Sequence, residues 1–184
     1  MCTVVGVVPE VLLPVFAAAA VLLVIAGASK IASPYMAQAS LSTAGLPAPL
    51  NGVRALALCE VAVGSAALIE PTRVTAALVA LAYGVFCLFT VRLLRLAEEG
   101  IDCGCFGGAG SEVSGVHVTL NAAALAVCVA AVVVPPRSLG WVLDRAPLTA
   151  ISASIGIFAI AYASFLAFTV FPRAWHSYSR GPAR

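Results

Sequence analysis

The chain has 184 residues, 62% of them hydrophobic and only 10% charged, with a formal net charge of +2. Water-soluble domains carry about 25% charged residues, so a soluble globular fold is excluded. The small net charge and the lack of any Lys/Arg cluster exclude a nucleic-acid binder, and several apolar runs of about 18 residues or more mark an integral membrane protein instead.

Five spans can be drawn in chain order. The first covers about Val11 to Ile31, with Pro14 near its start, where a missing N–H costs least. Ala26-Gly27-Ala28 before Ser29 resembles a cleavage site. The segment ahead of the apolar run holds Glu10 and no basic residue, so it reads as a retained first helix and not as a signal peptide. A polar, proline-bearing loop follows, SPYMAQASLSTAGLPAP, in which Met36 and Leu41 suit the membrane interface.

The second span runs about Leu50 to Ile69 and the third about Val74 to Leu96; the short EPTR between them, with Pro71, makes an antiparallel hairpin. The loop holding Cys103 and Cys105 comes next. The fourth span, about His117 to Val134, is ended by Pro135-Pro136. A loop with Trp141, Asp144 and Arg145 leads to a fifth span, about Leu148 to Phe171, and Trp175 and Tyr178 beyond it read as an interfacial aromatic belt. The expected fold class is all-α, a polytopic membrane helical bundle.

Five spans put the loop after span one, the Cys-Gly-Cys loop and the C-terminus on one side. That side carries Lys30, Arg54, Arg92, Arg95, Arg173, Arg180 and Arg184, against Arg73, Arg137 and Arg145 on the other. Seven against three places the cysteine loop in the cytoplasm under the positive-inside rule.

Cys103 and Cys105 are the leading chemical candidates. A disulfide needs Cα atoms about 4.4–6.8 Å apart, which residues i and i+2 reach only if the chain turns tightly between them. Gly104 can take backbone conformations closed to other residues. So small a ring is strained, and strained disulfides are the more oxidising and exchangeable ones. Asp102 opposes thiolate formation at Cys103, and no basic residue between Arg95 and Arg137 offsets it. Two rival readings stay open. Two thiolates suit Cu(I), although zinc would want four ligands; or the pair are reduced loop cysteines without a role.

Other candidates lie inside the spans. Cys59, Cys87 and Cys128 fall near mid-membrane, as a thiol relay toward a lipid-soluble acceptor or as small packing residues; Cys2 is assigned nothing. Glu60 is an ionisable group within span two, read either as functional or as a neutral hydrogen-bonding link between helices. Its candidate partners are Lys30, Arg54, Tyr83 and Arg92. His117 and Asn121 share a face at the start of span four. They are candidates to support the cysteine loop or a quinone head group, or simply to hydrogen-bond the helix end.

AGASKIASP at 26–34, GLP at 45–47, Glu60 followed by Gly64, DCGCFG at 102–107 and VHVTLN at 116–121 together resemble the MauE/DoxX family of redox-associated bacterial membrane proteins, the MauE branch in particular. The resemblance covers about residues 11 to 134. It implies a four-helix DoxX-like core over residues 1–136, with 137–184 as a connecting loop, an additional helix and a short polar tail. It implies Cys103 and Cys105 as a redox pair and Glu60 as a family position of unstated role. MauE proteins mature a disulfide-rich partner together with a thioredoxin-like protein, and the related DoxX group is linked to quinones. The implied activity is thiol–disulfide oxidoreduction in the bacterial cytoplasmic membrane, with the Cys-Gly-Cys loop outside the cytoplasm, where disulfides persist. That placement conflicts with the charge count. The alternatives from other classes are a non-catalytic assembly scaffold and a soft-metal carrier.

Overall fold

The structure, a computed structural model, describes residues 2–96, 103, 104, 106 and 112–171, with side chains described from Val11 onward. Seven helices occupy the described residues: α1 (Cys2–Ala32), α2 (Pro34–Thr43), α3 (Leu50–Ile69), α4 (Arg73–Leu96), α5 (Gly115–Val133), α6 (Leu139–Arg145) and α7 (Pro147–Thr169). Five are long and apolar enough to cross a bilayer, α1 over Val11–Ala32 and α3, α4, α5 and α7 over their full lengths. The fold is an all-α polytopic bundle, since within the hydrocarbon layer a helix satisfies its own backbone polar groups.

Three local expectations need correction. Pro14 does not start a helix, because α1 already begins at Cys2 and the proline sits in its interior. Neighbouring helices make such prolines tolerable in membranes, and Pro14 lies against Gly156 of α7. The loop after span one is largely the helix α2, opened by Pro34 at its first turn. The loop before span five contains α6, capped by the Ser138 hydroxyl accepting from Trp141 N–H at 3.2 Å. Trp175 and Tyr178 lie outside the described residues.

α1 is the central helix and packs most closely on α3, with α7 against another of its faces; α4 packs chiefly on α5. Without a hydrophobic drive between helices in lipid, close packing of small residues becomes the main adhesive. At the α1–α3 crossing, a Cβ on Gly27 would sit 2.7 Å from the Ala57 carbonyl oxygen and 2.8 Å from Val61 Cγ2. One on Gly64 would sit 2.7 Å from Val24 Cγ2 and 2.9 Å from the Ala20 carbonyl oxygen. Both glycines are therefore where one backbone rests on the other. The α3–α4 turn is fixed by a reciprocal cap: Thr72 N–H donates to Thr75 Oγ1 at 2.8 Å and Thr75 N–H donates to Thr72 Oγ1 at 3.2 Å.

The fifth span is not a detached appendage. Ala161 and Phe168 of α7 share one core cluster with Ala18, Leu22 and Ala26 of α1 and with Cys103 and Phe106 of the thiol loop.

Candidate functional site

The chemistry gathers at the end of the bundle where α1 and α4 finish and α3 and α5 begin. The close α1–α3 crossing brings Lys30 Nζ to 2.7 Å from Glu60 Oε2, and both side chains are almost fully buried. Of the four candidate partners for Glu60, this one is realised. Tyr83 instead donates its hydroxyl to the Ala19 carbonyl at 2.8 Å, Arg92 Nε donates to the Ala44 carbonyl at 2.5 Å, and Arg54 is exposed. Lys30 Nζ also stands 5.0 Å from the centre of the Phe86 ring, a cation–π distance. Glu60 Oε1 is buried without a hydrogen-bond partner among the described residues. The carboxylate is thus held on one oxygen only.

Arg92 anchors the C-terminal end of α2, where a cation meets the negative end of the helix dipole. Gly45 follows there with φ of +71°, in the left-handed region where glycine is at no disadvantage.

Cys103 is fully buried, and Gly104 has φ of +68°. This is a backbone conformation that glycine takes at no disadvantage. A Cβ there would overlap Ser40 Oγ and lie 3.2 Å from the Met36 carbonyl oxygen, so the loop backbone rests directly on α2. Cys105 and Asp102 lie outside the described residues. Phe106, next in the loop, is buried against α7, with ring centres 5.5 Å from Phe165 and 5.3 Å from Phe168.

His117 and Asn121 lie beneath this loop. His117 Nδ1 accepts from Ser114 N–H at 3.3 Å and lies 3.2 Å from the Ser114 hydroxyl, closing the N-terminus of α5. Its ring packs 5.6 Å from Phe168. Asn121 is buried, with Nδ2 unpartnered among the described residues. It borders a small void of about 10 Å³ with Tyr83, Phe86, Phe106 and Phe168.

A larger cavity of about 270 Å³ opens on the other side of Cys103 and Gly104. Its walls come chiefly from α2, α3 and α4, with Lys30 of α1, and its surface is almost wholly apolar although Lys30, Ser40 and Arg92 border it. Neither His117 nor Asn121 lines it. No single sequence motif announces this space, because it lies between helices; its one legible signal is the cluster of Lys30, Glu60 and Arg92 within otherwise apolar runs.

The remaining thiols are scattered. Cys59 faces outward, Cys87 is half-buried, and Cys128 is buried in the core cluster holding Val79 and Tyr83, apart from the one holding Cys103. No disulfide joins these three.

The geometry defines a class: a multi-pass helical membrane protein with a thiol loop set by a positive-φ glycine over a buried ion pair and an apolar cavity between helices. The particular family follows from the sequence, since the model for methylamine utilisation protein MauE matches residues 8–134 and the chain belongs to that family. No curated protein and no solved structure matches it significantly. The motif segments of that region converge in space. Gly27 and Lys30 meet Glu60, Gly64 meets Val24, Gly45 lies under Arg92, and Gly104 rests on Ser40.

Proposed function

We propose that this MauE-family protein relays thiol–disulfide exchange at the bacterial cytoplasmic membrane in the maturation of a partner protein. Cys103 and Cys105 are the redox pair, and a thioredoxin-like protein or an exported client is the exchanging partner. The family description ties such proteins to methylamine utilisation, which supports a maturation role. The observation that supports the reading is Gly104, the residue between the two cysteines, at φ of +68°, in the left-handed region open to glycine.

The exchange balances as follows. A client thiolate attacks one sulfur of the oxidised pair, breaking its S–S bond and forming a mixed disulfide. The client's second thiolate then displaces the loop cysteine. The client leaves oxidised, and Cys103 and Cys105 hold two electrons and two protons. A quinone is the proposed terminal acceptor for them.

The loop is assigned to the extracytoplasmic side. Lys30 is neutralised by Glu60 inside the bundle, which removes it from the charges that orient the chain and leaves six against three. Three of those six, Arg173, Arg180 and Arg184, belong to the terminal tail.

The test is labelling of Cys103 and Cys105 in intact cells with a membrane-impermeant thiol reagent, with and without prior reduction, alongside mass spectrometry of unreduced protein. Labelling only after reduction, with loss of client oxidation in either Cys→Ser variant, is the expected result. Full maturation by the Cys103→Ser/Cys105→Ser protein would overturn the relay. It would favour the second reading, a non-catalytic assembly scaffold. Stoichiometric Cu(I), lost on alkylation, would instead indicate a soft-metal carrier.

A further inference from the structure

The far end of the bundle holds an arrangement that the thiol relay does not use. Arg137, in the loop before α6, and Arg145, in the last turn of α6, set their guanidinium carbons 3.8 and 4.3 Å from the centre of the Trp141 ring. The ring is held from behind, since Trp141 packs with Val142 against Leu13 of α1 and Ala150 of α7. One indole thus gathers two cations that repel each other. Asp144 is exposed beside Arg145 in the chain, and Glu70 is exposed at the same end. Among the described residues neither carboxylate pairs with either guanidinium, and neither the guanidinium nor the indole N–H groups have an acceptor. Two cations held on one ring without a counter-charge call for an anion.

The surroundings say what kind. α6 lies between the end of one span, α5, and the start of another, α7. Leu143 of α6 and Leu148 in the first turn of α7 are 54 and 81% exposed. Residues 137–148 therefore present cationic donors and bare leucines together at the edge of the apolar spans. Free phosphate would use the charges and leave the leucines idle. An anionic phospholipid uses both, with its phosphate oxygens on the guanidinium forks and its acyl chains against the leucines. Tryptophan rings also favour the head-group level. In the orientation proposed above this end faces the cytoplasm, and the cytoplasmic leaflet carries the negative surface potential.

We infer that Arg137, Trp141 and Arg145 form a head-group site for an anionic phospholipid, which seats α6 on the membrane surface. Both guanidinium groups face one ring, so the oxygens of a single phosphate reach the two of them. Stacking on the indole keeps the long side chains from dispersing into solvent. Asp144 works against the site by like-charge repulsion with the phosphate. The inference does not depend on the thiol relay, and neither Cys103 nor Cys105 takes part in it.

The test reads the lipid next to Trp141 directly. Trp175→Phe leaves Trp141 as the one tryptophan of the full-length chain. This protein is reconstituted in phosphatidylcholine vesicles containing phosphatidylglycerol, with bromine on the acyl chains of one lipid or the other. The ratio of the two quenching curves gives the preference of the site for the anionic lipid. Phosphatidylglycerol should be preferred, and Arg137→Gln or Arg145→Gln should each cut the preference about fivefold. Arg137→Lys should keep most of it, because the charge stays, and Asp144→Asn should raise it.

Arg73 is the control. It is exposed at the same end, at the start of α4, and is not stacked on the Trp141 ring. Arg73→Gln should leave the preference nearly unchanged. A loss as large as that of Arg137→Gln would show a diffuse surface potential and overturn the site. Equal quenching by the two brominated lipids, or quenching by neither, would overturn it as well. Relief of phosphatidylglycerol quenching by excess inorganic phosphate would make phosphate alone the ligand and overturn the lipid.

Discussion

At the thiol end of the bundle, Lys30, Glu60, Arg92, Cys103, Phe106 and His117 converge from five different segments of the chain, most of them buried. At the opposite end the polar groups are local. Thr72 and Thr75 cap α4, Ser138 caps α6, and Trp141 lies between Arg137 and Arg145 at 3.8 and 4.3 Å from the ring centre. Both ends terminate the same apolar helices, yet among the described residues only one assembles long-range polar contacts. The second end needs only caps and an interfacial anchor. The first holds groups that are costly to bury, which is the general mark of a functional region in a membrane protein.

Breaking the ion pair should separate the two ends most sharply. Lys30→Met leaves Glu60 buried beside an apolar side chain, and removal of one partner of a buried pair typically costs ~3–5 kcal/mol. Equilibrium unfolding in mixed micelles should show that loss. The double variant Lys30→Met/Glu60→Met should recover most of it, because no uncompensated charge remains. A double variant as unstable as the single one would mean that packing around Lys30, and not its charge, holds this end together.

A smaller effect should come from the α1–α3 crossing. Gly64→Ala brings a methyl carbon to 2.7 Å from Val24 Cγ2, and overpacking of this kind costs about 1–3 kcal/mol. The helices must part, so the Lys30–Glu60 bond should lengthen as well. Coupling between Gly64→Ala and Glu60→Gln in a double-mutant cycle would register that. Strictly additive effects would show that the crossing and the ion pair are independent.

Gly104→Ala tests the loop alone. A non-glycine residue at φ of +68° costs roughly 1–2 kcal/mol, and here the new methyl also overlaps Ser40. Global stability should fall only modestly. The reactivity of Cys103 toward maleimide in detergent should rise, because the loop can no longer rest on α2. Unchanged reactivity would sink the idea that Gly104 holds Cys103 in its buried place.

The sequence carried much of this, for identifiable reasons. Span boundaries were legible to within two or three residues because each apolar run is closed by prolines or charges, as at Glu70-Pro71 and Pro135-Pro136. A permissive backbone at Gly104 was legible because a bond between cysteines two apart would need a tight turn at the residue between them. Helix α2 was not, since the three prolines and three serines of SPYMAQASLSTAGLPAP disguise a segment whose helix is held by Arg92 on Ala44 and by Gln38 donating to the Ala48 carbonyl at 2.9 Å. Those bonds are made at a distance and leave no local periodicity. The partner of Glu60 was likewise one of four until the glycine contacts of α1 and α3 fixed their crossing. The place of the fifth helix depended on Phe165 and Phe168 meeting Phe106, which is tertiary information only.

The smallest expected effect lies at the far end and completes the comparison. Arg137 and Arg145 are both exposed, and each guanidinium faces the Trp141 ring. Cation–π contacts at exposed sites contribute about 0.5–1 kcal/mol. Arg137→Gln should therefore lower stability by no more than that, and Arg145→Gln by a similar amount. Because α6 shares no polar contact with Lys30, Glu60 or the loop among the described residues, neither variant should change Cys103 labelling or thioredoxin exchange. A change in either readout on Arg137→Gln would mean that the two ends communicate through α7, which runs from α6 to Phe168 beside the thiol loop. The division drawn here between an anchoring end and a chemical end would then have to give way to a single coupled unit.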